Sequence, residues 1–206
     1  MIYAVANRRD LGAVARLAAE ALAERLGRAV PGLAPVMMEH SLRLLYDADP
    51  RSFLVAQQGA DIVGYAFAPH PKSALWRAAV VRGHALRFLW HWPTAWRRSG
   101  LSPLGVMPLI QGFGRPLPAL GRPSRHEARM LVVVVRPDAR GRGVGTTLVR
   151  HALRAWRHRG VAQVRLPVPS EDAAGRQLLA RAGFHVAGPL RGHRGWIVML
   201  CDLQAV

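Results

Sequence analysis

The sequence predicts an α+β domain, and three local patterns carry that expectation. Two apolar segments, SFLVAQQ and DIVGYAFA, flank a Gly-Ala turn, which is the pattern of a β-hairpin. The run Met130 to Val135 (MLVVVV) is too evenly apolar for a half-exposed strand and suits a central one covered on both faces. Val144, Leu148, Val149, Ala152, Leu153 and Trp156 then form one helical stripe that ends at Gly160.

The remaining elements follow in chain order. Residues 2–6 (IYAVA) read as a short strand. Asp10 is placed to cap a helix whose apolar positions are Val14, Leu17, Ala18, Ala21 and Leu22, with Gly27 as its stop. A second helix is expected from about Pro35, a good first-turn residue, to Tyr46, where DADP breaks it. After the stripe helix, VAQVRLPV is the next strand. Ser170 is placed as an N-cap, with Glu171 and Asp172 in the first turn, where the helix dipole favours acids. That helix runs to Gly183, and strands near Phe184–Ala187 and Trp196–Cys201 complete the layout. No internal repeat is visible, so residues 1–206 are expected to form a single domain.

Composition bounds the function. A chain of 206 residues, half of them hydrophobic, is long enough to bury a substantial core and is not a disordered chain. MIYAVANRRD holds no apolar run long enough for a signal peptide, and no later segment is an unbroken membrane span. The single cysteine, Cys201, excludes an internal disulfide and a cysteine-based metal cluster, so no metal is expected. A cytoplasmic location is the expectation. The formal net charge of +17 attracts anions, but Arg is spread through the whole chain, as a compositional bias produces.

Uneven charge is more informative. Between Asp61 and Glu127 there is no acidic residue and there are nine Lys or Arg, and four of the six tryptophans fall between Trp76 and Trp96. Ser73 to about His91 reads as a helix with Arg77, His84 and His91 on one face, followed by Pro- and Gly-rich turns from Pro93 to Pro123. This is expected to be an insertion at about residues 69–126. Leu75, Trp76, Ala79, Leu86 and Leu89 are expected to pack that helix on the domain. Tryptophans interleaved with Arg and His also suit peripheral contact with the inner face of an anionic membrane, and a homodimer interface is a further option.

The segment RPDARGRGVGTTL, Arg136 to Leu148, joins the apolar strand to the stripe helix. It lacks the lysine of a Walker loop, and the third glycine of a dinucleotide fingerprint would fall at Thr146. What remains is Arg-x-x-Gly-x-Gly at Arg140, Gly143 and Gly145, opening a helix. Glycines let backbone approach an anion closely, and a helix N-terminus points amides and partial positive charge at it.

At this point the sequence resembles the GNAT superfamily of N-acetyltransferases. VVVRPDARGRGVGTTLVRHAL resembles the acetyl-CoA signature, and DAAGRQLLARAGF, Asp172 to Phe184, resembles the second signature through Leu178, Gly183 and Phe184. The resemblance implies a mixed, mostly antiparallel twisted sheet splayed between its fourth and fifth strands, flanked by helices, with the basic insertion between strands three and four. It implies acetyl-CoA as cosubstrate. Amides of Val133, Val134 and Val135 would pair with the pantetheine arm and polarise the thioester carbonyl. Arg140, Gly141, Arg142, Gly143, Val144, Gly145 and Thr146 would hold the pyrophosphate, and Asp172 stands at a cofactor-binding position where the family usually has Asn.

The match fails at the general acid. Leu179 stands where the family commonly has Tyr, and leucine donates no proton. The acid is then another side chain, with Ser170 and His185 as candidates, or a water, or the thiolate leaves unassisted. Glu127, beside His126, opens the central strand next to the insertion and is the candidate base. The expected activity is direct transfer of an acetyl group to the amine of a small acceptor. A basic, acid-free insertion favours an amine on an anionic body, such as an amino sugar conjugate, over polyamines. The alternative is a non-catalytic protein of this fold that binds nucleic acid or an anionic membrane through the insertion; no DNA-binding motif supports specific nucleic-acid recognition.

Overall fold

The computed structural model describes residues 1–26, 34–70 and 126–204. Its elements, in order, are β1 (Ile2–Val5), α1 (Leu11–Leu26), α2 (Ala34–Ala48), β2 (Phe53–Gln58), β3 (Asp61–Phe67), β4 (Glu127–Ala128) and β5 (Val132–Val135). They continue with α3 (Val144–His158), β6 (Gln163–Pro169), α4 (Ala173–Arg181), β7 (His185–Pro189) and β8 (Trp196–Asp202). The helix expected at Ser73–His91, with its membrane-facing or packing residues, the Pro- and Gly-rich turns after it, and the stop at Gly27 lie outside the described residues.

Among the described residues the strands form two four-stranded sheets, β1-β2-β3-β5 and β4-β6-β8-β7. Every pairing is antiparallel except that of β4 with β6. The hairpin is where the sequence placed it: Gln58 pairs with Asp61, and Gly59 takes the turn at φ 64°, a conformation glycine adopts without a Cβ clash.

The run MLVVVV departs from its expectation in one respect. Both faces are covered, because Val133 and Val135 pack on the α3 side of the sheet while Val132 and Val134 pack on the side of α1 and α2. The strand is not central, however. Glu127 and Ala128 pair in parallel with Gln163 and Val164 of the second sheet, and the chain then swings over so that Val132–Val135 pair with Phe67–Gly64 of the first. From Arg129 onward β5 and β6 part, which among the described residues leaves β5 as an edge strand facing a gap.

The cores follow this layout. One cluster joins the two sheets through α3, whose stripe is fully buried, down to Trp156. Each large side chain in such a stripe contributes on the order of 1.5–3 kcal/mol. The second cluster lies under α1 and α2, where the rings of Phe53 and Phe67 pack at a tilt of 35° with centroids 4.6 Å apart.

Two caps differ from expectation. Asp10 directly precedes α1, but its carboxylate turns back to accept from the Asn7 amide at 2.7 Å. Asp172, not Ser170, caps α4, accepting from the Gly175 amide at 2.8 Å. Ser170 instead donates its hydroxyl to the Gly195 carbonyl, because β6 runs on to Pro169 and the helix starts three residues later than the first polar residue.

Candidate functional site

The open edge of β5 is defined by hydrogen-bond direction. The Arg136 amide donates to the Val63 carbonyl at 2.9 Å, one residue beyond the register that pairs Val135 with Gly64. In an antiparallel ladder, backbone groups alternate between the two sides of a strand. Val134 and Val132 therefore turn their N–H and C=O groups to β3, while those of Val133 and Val135 point into the gap. Of the three valines expected to offer amides, Val134 is thus engaged inside the sheet.

At the end of β5 a short 3-10 turn, Pro137–Ala139, leads into the glycine turn. Gly141 and Gly143 have φ of 75° and 79°, in the left-handed region, with nothing within 4 Å of an added Cβ. α3 starts at Val144 with no side-chain cap at Gly143 and no acid in its first turn. The first amides of the helix, those of Val144, Gly145 and Thr146, have no acceptor within the helix. Thr147 is already bound: its amide and its hydroxyl both donate to the Gly143 carbonyl. Gly145 serves a further purpose, because an added Cβ would lie 2.7 Å from Leu178 Cδ1, so its bareness lets α3 approach α4.

The two arginines of the turn differ. Arg142 is exposed. Arg140 donates from Nε to the Val135 carbonyl at 3.1 Å and from Nη1 to Glu24 Oε1 at 2.7 Å, a second contact joining Nη2 to Oε2. The hydrogen bond from Arg140 holds the Glu24 carboxyl below the usual carboxylate range. Beside them Arg136 clamps Asp138 at 2.7 and 2.8 Å, which lowers that carboxyl too.

The candidate acid and base groups are scattered. Glu127 sits where the gap closes, 8 % exposed, with Arg129 Nε at 2.8 Å and Arg165 Nη1 at 3.7 Å. Ser170 lies at the other, wide end, at the C-terminus of β6. His185 is exposed on β7, the far edge of the second sheet, with β8 and β6 between it and the gap. Leu179 is buried in the main core. Tyr65, which sequence reasoning passed over, is 4 % exposed on β3 opposite Val134, and burial pushes its phenol up to about 12.

Both stems of the acid-free segment are tied to the C-terminal end of α3. Trp156 Nε1 donates to the Pro69 carbonyl at 3.1 Å, and the His70 ring contacts the Arg159 carbonyl at 3.0 Å. Asp49, buried, accepts from the His70 amide and from Arg159. The His126 ring reaches the Gly160 carbonyl at 3.0 Å, and the Ala162 amide donates to the His126 carbonyl. α3 is fifteen residues long, so these stems stand about 22 Å from the glycine turn, at the closed end of the gap.

A strand that leaves one sheet for another, followed by an uncapped glycine turn and a helix, is a specific arrangement, and the family comparison agrees with it. The model of the acetyltransferase (GNAT) family matches residues 19–184. The chain belongs to the GNAT acetyltransferase family. Solved structures share the fold of this GNAT protein along nearly its whole length. A ribosomal-protein-alanine N-acetyltransferase from Brucella melitensis superposes with a TM-score of 0.58 at 19 % identity, covering 98 % of this chain and 99 % of its own. The protein yncA from Salmonella typhimurium, solved with its cofactor acetyl-CoA, gives 0.58 at 18 % identity, covering 98 % and 93 %. The PaiA N-acetyltransferase from Thermoplasma acidophilum, in complex with coenzyme A, gives 0.56 at 12 % identity, covering 98 % of each chain. No curated protein sequence matches the chain. Among the described residues of this GNAT acetyltransferase, no helix is long and apolar enough to cross a membrane, and no group of His, Cys, Asp and Glu is arranged to hold a metal ion.

Proposed function

We propose that the protein transfers an acetyl group from acetyl-CoA to the amine of a small acceptor, with the gap beside β5 as the cosubstrate site. The observation that carries this reading is the free edge of β5 running directly into an uncapped helix N-terminus. Extended pantetheine needs backbone donors and acceptors along one side, and Val133 and Val135 offer them. A pyrophosphate needs clustered N–H groups and positive charge, and the turn from Gly141 to Thr146 offers both, with Arg142 exposed beside it.

The cosubstrate supplies a thioester, an acyl group on a good leaving group. The acceptor nitrogen attacks its carbonyl carbon, the carbon–sulfur bond breaks and the nitrogen loses a proton. A backbone N–H of the β5 edge, donated to the carbonyl oxygen, stabilises the charge that develops there. Of the candidate proton carriers, Ser170 and His185 lie away from the closed end of the gap and carry no proton in this reading. Glu127 is engaged by two guanidiniums and is assigned to holding the point where the sheets part. The proton leaves through water.

The acceptor is proposed to be an amine on an anionic body. Residues between Asp61 and Glu127 carry positive charge without any acid, and both stems of that segment anchor at the closed end of the gap. A polycation would be repelled there.

Calorimetric titration of acetyl-CoA into wild type and Arg142→Glu tests the cosubstrate site. Micromolar binding that weakens about tenfold or more in the folded variant is expected. Equal binding by the two proteins would move the pyrophosphate away from the turn. The acceptor class is read by comparing turnover of amino sugar phosphates with that of spermidine; preference for spermidine would reject the anionic acceptor.

A further inference from the structure

The edge of the first sheet opposite β5 carries a groove that acyl transfer leaves unused. β1 is that edge strand, three strand spacings or about 14 Å from β5. α3 packs chiefly over β2, β3 and β5, so among the described residues the neighbouring face of β1 stays open. Tyr3 and Val5 are paired with Ala56 and Leu54 of β2. The opposite wall is one flank of α3, where His151, Arg154 and His158 recur three, four and seven residues apart. These residues with Val5 and Leu54 line a half-open groove of about 330 Å³.

Three features define what fits. The first is charge: β1 and α3 contain no acidic residue, and among the described residues neither Arg154 nor His158 has an ion-pair partner. The second is a ring surface. Tyr3 and His151 stack with centroids 5.3 Å apart and planes 13° from parallel, and a flat ring laid against them extends the stack. The third is size. The volume lies at the low end of small-ligand pockets, with room for one ring system and one phosphate but not for a dinucleotide.

We infer that this groove binds a mononucleotide, its phosphate on Arg154 and His158, its base against the Tyr3–His151 pair and its ribose over Val5 and Leu54. Arg154 supplies fixed charge and a planar fork of donors suited to phosphate. The site is separate from the glycine turn and does not depend on acyl transfer being the protein's activity.

The test is calorimetric titration of AMP into the full chain, alone and with saturating CoA to fill the glycine turn. Similar binding in both conditions is expected, with adenosine and inorganic phosphate each weaker by about tenfold or more. Arg154→Glu and the milder Arg154→Gln, both changes at an exposed position, are expected to weaken AMP about tenfold or more with circular dichroism unchanged. Tyr3→Leu is expected to weaken it by about tenfold through the lost stack. Absence of heat from AMP, displacement of AMP by CoA, or equal affinity in Arg154→Gln would overturn the inference. Tighter binding of a single-stranded oligonucleotide than of AMP would overturn it as well, in favour of a nucleic-acid surface.

Discussion

Glu24 of α1 grips Arg140 of the glycine turn at two points, and the same guanidinium donates to the Val135 carbonyl at the open edge of β5. The arginine that the motif offers to an anion thus already has an anion, supplied from 116 residues away in sequence. A pyrophosphate entering the turn meets amides, Arg142 and a neutralised Arg140.

Removing that carboxylate should help the ligand. Glu24→Gln takes one negative charge from beside the turn, and both partners are exposed enough for screening to keep the effect small. Acetyl-CoA should bind about two- to fivefold tighter at low salt, the difference shrinking as salt is added. Weaker binding in calorimetry would mean instead that Glu24 holds Arg140 in a binding posture.

A side chain at Gly145 should be accommodated only if the Leu178 side chain shifts. The Cβ of Gly145→Ala would meet Leu178 Cδ1 at 2.7 Å, and turning that half-buried side chain aside is expected to cost about 0.5–1.5 kcal/mol in urea denaturation. Leu178→Ala in the same chain should recover part of that loss, because the two sites share one contact. Additive losses would show that the clash is relieved elsewhere.

Tyr65 predicts an alkaline limit to stability. Its phenol ordinarily titrates near 10.0 and burial raises it to about 12. Below pH 10 the folded and unfolded chains both keep the proton. Between pH 10 and 12 the unfolded chain alone releases it, so stability falls across that window by roughly 3 kcal/mol at most. Denaturation of Tyr65→Phe should lack that component of the decline. An identical pH profile in the variant would mean the hydroxyl reaches solvent.

Glu127→Gln separates a holding role from proton transfer. With two guanidiniums left facing a neutral amide in a buried setting, unfolding free energy should drop by about 1–3 kcal/mol. The pH dependence of kcat/KM should keep its shape. Loss of the acidic limb would identify Glu127 as the base after all.

What could be read from the sequence was what short-range rules govern. The hairpin shows in alternating apolar segments around Gly59, α3 shows in a stripe repeating every three or four residues, and the glycine turn shows in three alternate glycines where a strand passes into a helix. Each depends on residues a few positions apart. The family signatures sit in these same segments, which is why fold and family were legible together. Capping was less so: Ser170 and Asp172 are equally good N-caps by type, and only the length of β6 chose between them.

The tertiary structure alone decided which edge of MLVVVV is free, that Val134 turns into the sheet, and that His185 lies across it from the gap. It also joined Arg140 to Glu24 and both ends of the acid-free segment to Arg159 and Gly160. An apolar run reports burial of its faces, because side chains meet the core. It carries no mark of where its backbone hydrogen bonds go, because every residue has the same N–H and C=O and their partners are set by strands distant in the chain.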